Sequence, residues 1–294
     1  MRTPRSVLSV ILFLIMMLLP VFAFAGVEEV INKQYPLEGD GEVYLQNISG
    51  NISVSTWNKD KIRIKATKKA HSEKDLDKIN VMIDSEDDHI RIKTEYDKSF
   101  HSSPFSIFSN NNWSVTYELT VPEKAEVSLE SVSGGIRVAG VQNDVKCKSV
   151  SGNIDLEGIT GDASVEVVSG GISIDKITGE ITAKTVSGNI RIDTGSVVES
   201  IKGNTVSGGI RVKGILSPGG DYDLSTVSGN IKFMLPADSE FDLRAKTFSG
   251  GINSDFSITL SGGIDHKNLN GVVGKGGPEI SLSTFSGSIR LVKD

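Results

Sequence analysis

Lys184-Thr185-Val186-Ser187-Gly188-Asn189-Ile190-Arg191-Ile192 is one of nine copies of the same pattern, and its central tetrad, Ser-Gly-x-Ile, decides the fold. The tetrads that lie inside this longer pattern end at Ile52, Ile136, Ile154, Ile172, Ile190, Ile210, Ile231, Ile252 and Ile289, and from Ile136 to Ile252 they return every 18 to 21 residues. Four residues before each isoleucine stands another apolar side chain: Ile48, Val132, Val150, Val168, Val186, Val206, Val227, Phe248 or Phe285. Nine and seven residues before it the chain reads Val145/Cys147, Ala163/Val165 or Ile181/Ala183, with Gly203 the one such position lacking a side chain. Apolar residues thus alternate with polar ones on both sides of the turn, which is the period of a strand with one buried face.

A repeat of about 20 residues cannot bury its apolar face alone, but stacked coils bury a continuous core. The expected fold is all-β: a single-stranded β-helix, or β-solenoid, with 18–21-residue coils and equivalent residues in vertical register. With about 4.8 Å per coil, the run from Val127 to Leu291 predicts a rod of roughly 40 Å. A propeller or sandwich would show longer units or Asn-Gly and Asp-Gly hairpin turns, which do not recur here.

The turn has its own chemistry. Glycine stands two before every isoleucine, and the next residue is Asn51, Gly135, Asn153, Gly171, Asn189, Gly209, Asn230, Gly251 or Ser288. Both residue types tolerate left-handed backbone. Their alternation predicts that each asparagine lies along the stack over a glycine that leaves it room. The serines of the tetrad and the Ser/Thr residues two positions earlier are expected to bond backbone groups of adjacent coils. Nine like serines without a base are not nucleophiles.

Three segments are expected along the chain. Residues 1–25 read as a secretory signal peptide: Arg2 and Arg5 precede an apolar stretch from Val10 to Leu19, and Ala23-Phe24-Ala25 forms the cleavage site. The apolar run is short for a membrane span, so no transmembrane anchor is expected after cleavage. Residues 26–125 read as a β-rich region that begins and caps the solenoid, and residues 126–294 as its repeats. In the first region Lys61–Thr67, Asn80–Ser85, His89–Glu95 and Ser114–Val121 alternate as strands, and Ser72–Ile79 reads as a short helical turn. A long loop, 99–113, carries Phe105, Phe108 and Trp113, which either cap the core or contact a partner. The 37 residues from Ile252 to Ile289 fit two coils, the first degenerate.

Loss of Arg2 and Arg5 with the leader lowers the cations from 31 to 29 against 37 acids. That balance argues against nucleic acid or anionic membrane as a general partner. Cys147 falls on an inward position and reads as a buried structural thiol.

With the leader, the block Val43-x-Leu45-x-x-Ile48-Ser49-Gly50-Asn51-Ile52-x-Val54-x-x-Trp57, the strand Tyr117-x-Leu119-x-Val121-Pro122 and the last coil, Ile280 to Ile289, the chain resembles the bacterial putative-adhesin family of β-strand-repeat proteins. The resemblance spans nearly all of the mature chain. It implies a β-helical fold and an extracytoplasmic role, periplasmic or at the cell surface, and carries over no ligand or catalytic residue.

Catalytic chemistry is thinly represented. Glu157, Asp175 and Asp193, three after their isoleucines, should stack on adjacent coils, partly neutralised by the column of Arg137, Asp155, Ser173, Arg191, Arg211 and Lys232. Solvated charges explain them better than a cation site. His71, His89, His101 and His266 lack metal-ligand spacing with one another. The expectation is therefore a non-enzymatic exported binding protein with no cofactor, whose partner is an envelope or surface protein or a glycan. An envelope scaffold and a carbohydrate-active β-helix enzyme are the rival readings.

Overall fold

The structure, a computed structural model, describes residues 26–97, 113–261 and 267–294. At the N-terminal end β1 (Val27–Pro36) precedes β2 (Glu42–Ser49), β3 (Ile52–Trp57) and β4 (Lys61–Ala70). The single-turn helix α1 (Glu73–Leu76) then leads to β5 (Ile79–Ser85), β6 (His89–Tyr96) and β7 (Ser114–Pro122). The regular part pairs β8 (Glu126–Ser133) with β9 (Ile136–Ala139), β10 (Val145–Ser151) with β11 (Ile154–Ile159), and β12 (Ala163–Ser169) with β13 (Ile172–Ile177) across successive Ser-Gly corners. It continues through β14 (Ile181–Ser187) and the long strands β15 (Ile190–Ser207) and β16 (Ile210–Ser228) to β17 (Ile231–Leu235). The C-terminal end holds β18 (Phe241–Ser249), β19 (Ile252–Ser254), β20 (Ile258–Leu260), β21 (Asn268–Val273), β22 (Glu279–Ser286) and β23 (Ile289–Lys293).

Strands before the corner stack in one parallel ladder and strands after it in another, giving an all-β, solenoid-like fold. The first ladder runs β6, β2, β8, β10, β12, β14, the later halves of β15 and β16, β22 and β18. The second runs β7, β3, β9, β11, β13, the earlier halves of β15 and β16, β17, β23 and β19. All nine isoleucines fall in one column, from Ile52 beside Ile136 to Ile289 beside Ile252. The inward residues of both ladders form a single core. Gly203 leaves no void in it, because Leu224 Cδ2 lies 2.9 Å from where a Cβ would stand.

Stack order departs from chain order at both ends. The β22–β23 coil lies between β16–β17 and β18–β19, so the terminal rung is Ile252, half-buried, and not Ile289, which is fully buried. At the other end β6 and β7 form a coil outside β2–β3, with Ile90 beside Val43 and Tyr117 beside Ile52. Ile52 and Ile136, 84 residues apart, are therefore direct neighbours. The segment from Ile252 to Ile289 holds one coil and an antiparallel pair rather than two coils: β21 runs antiparallel to both β18 and β20. Insertion of the last coil leaves β18 as the outermost parallel strand, and β21 satisfies its remaining backbone groups. The first region contains the expected strands, with β1 antiparallel to β4, β4 to β7, and β5 to β6.

Corner hydrogen bonds bind one coil to the next. Asn51, Asn153, Asn189 and Asn230 each accept a backbone N–H from Gly135, Gly171, Gly209 or Ser288 at 2.8–2.9 Å. The expected asparagine ladder is present. The hydroxyl ladder lies elsewhere than on the tetrad serines: Thr185, Thr205, Thr226, Thr247 and Thr284 donate to the carbonyl of a stacked corner glycine at 2.9–3.2 Å. In the same column the buried hydroxyls of Ser131 and Ser149 have no partner. Thr226→Val should therefore cost about 1 kcal/mol, the net value of one hydrogen bond, while Ser149→Ala should cost less than about half of that. Urea midpoints of the two variants measure the difference, and equal losses would show that the threonine bonds do not hold the corner.

Cys147 is buried in the ladder, and desolvation pushes its thiol pKa far above the ordinary value. Tyr117, in the isoleucine column, is held near the core by a 2.7 Å contact between its hydroxyl and Thr94, which in turn donates to Asn47 Oδ1 at 2.9 Å. Burial pushes the Tyr117 pKa up to about 12.

Candidate functional site

The apolar residue four before each isoleucine points outward. In β10 the alternation that places Val145, Cys147 and Ser149 inside leaves Val150 and Ser151 exposed, and the phase resets only after the glycine. The apolar pattern in the sequence suggests a buried residue at this position. The fold instead turns the adjacent Thr or Ser inward, where the threonine hydroxyl reaches the neighbouring glycine carbonyl. The result is a column of valines from Val132 (42% exposed) to Val227 (51%), continued by Phe285 (56%) and Phe248 (65%). The two phenylalanine rings are stacked, with centroids 4.7 Å apart and planes 5° from parallel.

Beside this column run the exposed tetrad serines, paired rung by rung from Ser133–Ser151 to Ser286–Ser249. A column of exposed serines and an apolar column thus share one edge of the rod, about 38 Å long with Ile48 included as its first rung. β-Branched residues favour strands and contact each other across the ladder, which accounts for the valines in part. It does not account for a stacked aromatic pair in solvent.

Of the aromatic loop residues, Trp113 is half-buried and its ring lies 5.5 Å from that of Tyr96, packed against the core. Phe105 and Phe108 lie outside the described residues, as do His101 and His266. The acidic column stacks as expected, with Glu157 beside Asp175 and Asp175 beside Asp193. Lys176 approaches Glu157 at 3.8 Å and Arg137 approaches Asp155 at 3.8 Å. These are exposed pairs of small energetic weight.

A search by histidine spacing passes over Glu86, Asp88 and His89, whose potential ligand atoms lie within 4.8 Å of one another on the exposed turn between β5 and β6. Hydrogen bonding to Asp88, at 2.9 Å, holds the His89 pKa above its ordinary value and that of Asp88 below. The histidine is thus a hydrogen-bond partner of its acidic neighbour. No described helix is long and apolar enough to cross a membrane.

The profile of one family matches residues 42–292, covering both ladders but not β1. The chain belongs to the Toastrack DUF4097 family. Among solved structures it is similar to a putative adhesin from Bacteroides fragilis NCTC 9343, at 13% identity and a TM-score of 0.51, with 90% of this chain and 97% of that chain covered. It is also similar to a putative lipid binding protein from Parabacteroides distasonis ATCC 8503, at 14% identity and a TM-score of 0.44, with 90% and 97% covered. No curated protein matches the chain. The likeness to the Bacteroides protein is one of fold.

Proposed function

We propose that the chain is an exported, non-catalytic binding protein of the bacterial envelope or cell surface, and that it takes a linear glycan along the corner ladder. The observation that carries this reading is the exposed column of valines ending in the stacked Phe248–Phe285 pair beside a column of serine hydroxyls. Sugar rings present C–H faces and hydroxyl edges. Aromatic and aliphatic side chains cover the former, and serines bond the latter. The description of the Bacteroides structure as a putative adhesin points the same way, as does the leader-like N-terminus.

An envelope scaffold built by end-to-end stacking is less well supported. The antiparallel strands β1, β4 and β5 at one end and β20 and β21 at the other interrupt the parallel register that such stacking would continue.

Retention of the purified chain in gels containing different polysaccharides tests the reading. At least one polymer should retard it, and Phe248→Ser with Phe285→Ser should weaken retention by about tenfold or more, corresponding to about 1.4 kcal/mol, with the thermal midpoint unchanged. A second variant, with Phe105, Phe108 and Trp113 replaced by serine, separates the aromatic segment from the ladder. Undiminished retention of the Phe248/Phe285 variant, or retention by no polymer, would refute the corner ladder as a glycan site.

A further inference from the structure

Past the corner, on the outer face of the second ladder, the column one after the isoleucine changes character along the rod. Near the middle it is mixed, with Arg137, Asp155 and Ser173. Towards the C-terminal end four successive rungs are cationic before the column closes on Asn253. Arg191 is beside Arg211, Arg211 beside Lys232, and Lys232 beside Arg290, the last brought into line because β23 inserts next to β17.

Four cations at successive strand spacings of about 4.8 Å repel one another. None of them has a carboxylate partner within ion-pair distance among the described residues. The nearest polar contact is that of Arg211 Nη2 with Met234 Sδ, at 3.6 Å. The adjacent cation Lys213 is already engaged by Asp294 at 2.6 Å. Elsewhere the same fold neutralises its columns: on the first ladder Glu130, Lys148, Glu166 and Lys184 alternate in sign, with Glu166 3.7 Å from both lysines. A run of four like charges on a chain of net charge −6 is therefore a local feature and not a reflection of composition.

We infer that the glycan is anionic, with a carboxylate, phosphate or sulfate on successive residues held by the ladder Arg191–Arg211–Lys232–Arg290. This inference rests on the glycan reading above and narrows it. The ladder runs parallel to the apolar column, one strand away round the same corner: Val206 precedes Arg211 and Val227 precedes Lys232 by five residues, and Phe285 precedes Arg290 by five. Arginine presents paired N–H donors to oxyanions, and the single lysine adds a point charge. Arg191, Arg211 and Lys213 line a shallow open depression with Ile192, Asp193, Met234 and Asp294.

A flat anionic bilayer fits this face poorly. Asp193 and Asp294 border the ladder, and Asp155, Glu157 and Asp175 continue the same face. A membrane would press these acids against its headgroups, whereas a chain one sugar wide passes beside them.

The test compares polygalacturonate, which has one carboxylate per sugar, with the same polymer fully methyl-esterified, using the full chain. The expected result is preferential retention by the acid polymer, weakened about tenfold or more between about 50 and about 200 mM salt. The variant Arg191→Gln, Arg211→Gln, Lys232→Gln and Arg290→Gln should lose that preference while keeping its circular dichroism and thermal midpoint. Lys148→Gln with Lys184→Gln, on the other face, should retain it. Equal retention by both polymers, or an undiminished preference in the quadruple variant, overturns the inference and leaves the corner-ladder reading standing. Stronger binding to phosphatidylglycerol vesicles than to polygalacturonate also overturns it, in favour of a membrane. Retention by neither polymer removes the inference, and failure across the wider polymer panel removes the glycan reading with it.

Discussion

Ile172→Ala should lower the stability of the chain by about 2–5 kcal/mol, as expected when a buried isoleucine is cut back in a stack that cannot collapse around the gap. Ile172 is 2% exposed and lies between Ile154 above and Ile190 below, all three on parallel strands in register. Each neighbour is held by its own corner hydrogen bonds, so the cavity persists. Ile289→Ala should cost a similar amount, because Ile289 is sandwiched between Ile231 and Ile252 although it belongs to the last coil of the chain. Ile252→Ala should cost clearly less, since Ile252 is the outermost rung and half-buried. Urea denaturation of the three variants decides the matter. A loss at Ile252 equal to that at Ile172, or a small loss at Ile289, would contradict the inserted order of the final coils.

The corner glycine should be at least as sensitive. Gly170 has φ of 148°, and a Cβ added there would collide with the carbonyl of Gly152 in the adjacent coil. That obstacle is backbone, itself locked by the stack, so no side chain can rotate aside. Gly170→Ala should cost about 3 kcal/mol or more. The next residue is the control. A Cβ on Gly171 would find its nearest atoms at 3.5 and 3.6 Å, ordinary van der Waals distances, so Gly171→Ala should be far milder. Thermal midpoints of the two single variants check the contrast, and comparable losses would mean that the approach of coil to coil at the corner is not what requires glycine there.

These two adjacent glycines show how far the sequence can be read. Invariance of the first across nine copies and alternation of the second with asparagine are both visible in the chain. That Asn153 Oδ1 accepts the Gly171 N–H at 2.8 Å follows the expectation of an asparagine lying along the stack. Glycine is not needed there to make room, since Ser288 takes the same place over Asn230. The valine column shows the opposite case. Its hydrophobicity reads as burial, yet the corner spends its inward position on a threonine hydroxyl and leaves the valine in solvent. Period-two counting misses this because the glycine shifts the phase by one residue, and a one-residue shift exchanges the faces of a strand.

By itself the sequence determined the repeat: which residues lie in one column, where the corners fall, and that the chain is built of strands in parallel register. Those properties are local, because each unit carries its own alternation, glycine and isoleucine. Only the tertiary structure decided the order of the coils at either end and the antiparallel strands that finish the ladders. All nine units present nearly the same edge, so the repeat pattern does not distinguish Ile289 beside Ile231 from Ile252 in that place. The choice rests on how β20 and β21 cover the outer side of β18 and on the β6–β7 coil lying outside β2–β3. The cationic ladder is a consequence of that choice, since Arg290 joins Lys232 only when the last coil of the chain is placed inside the stack.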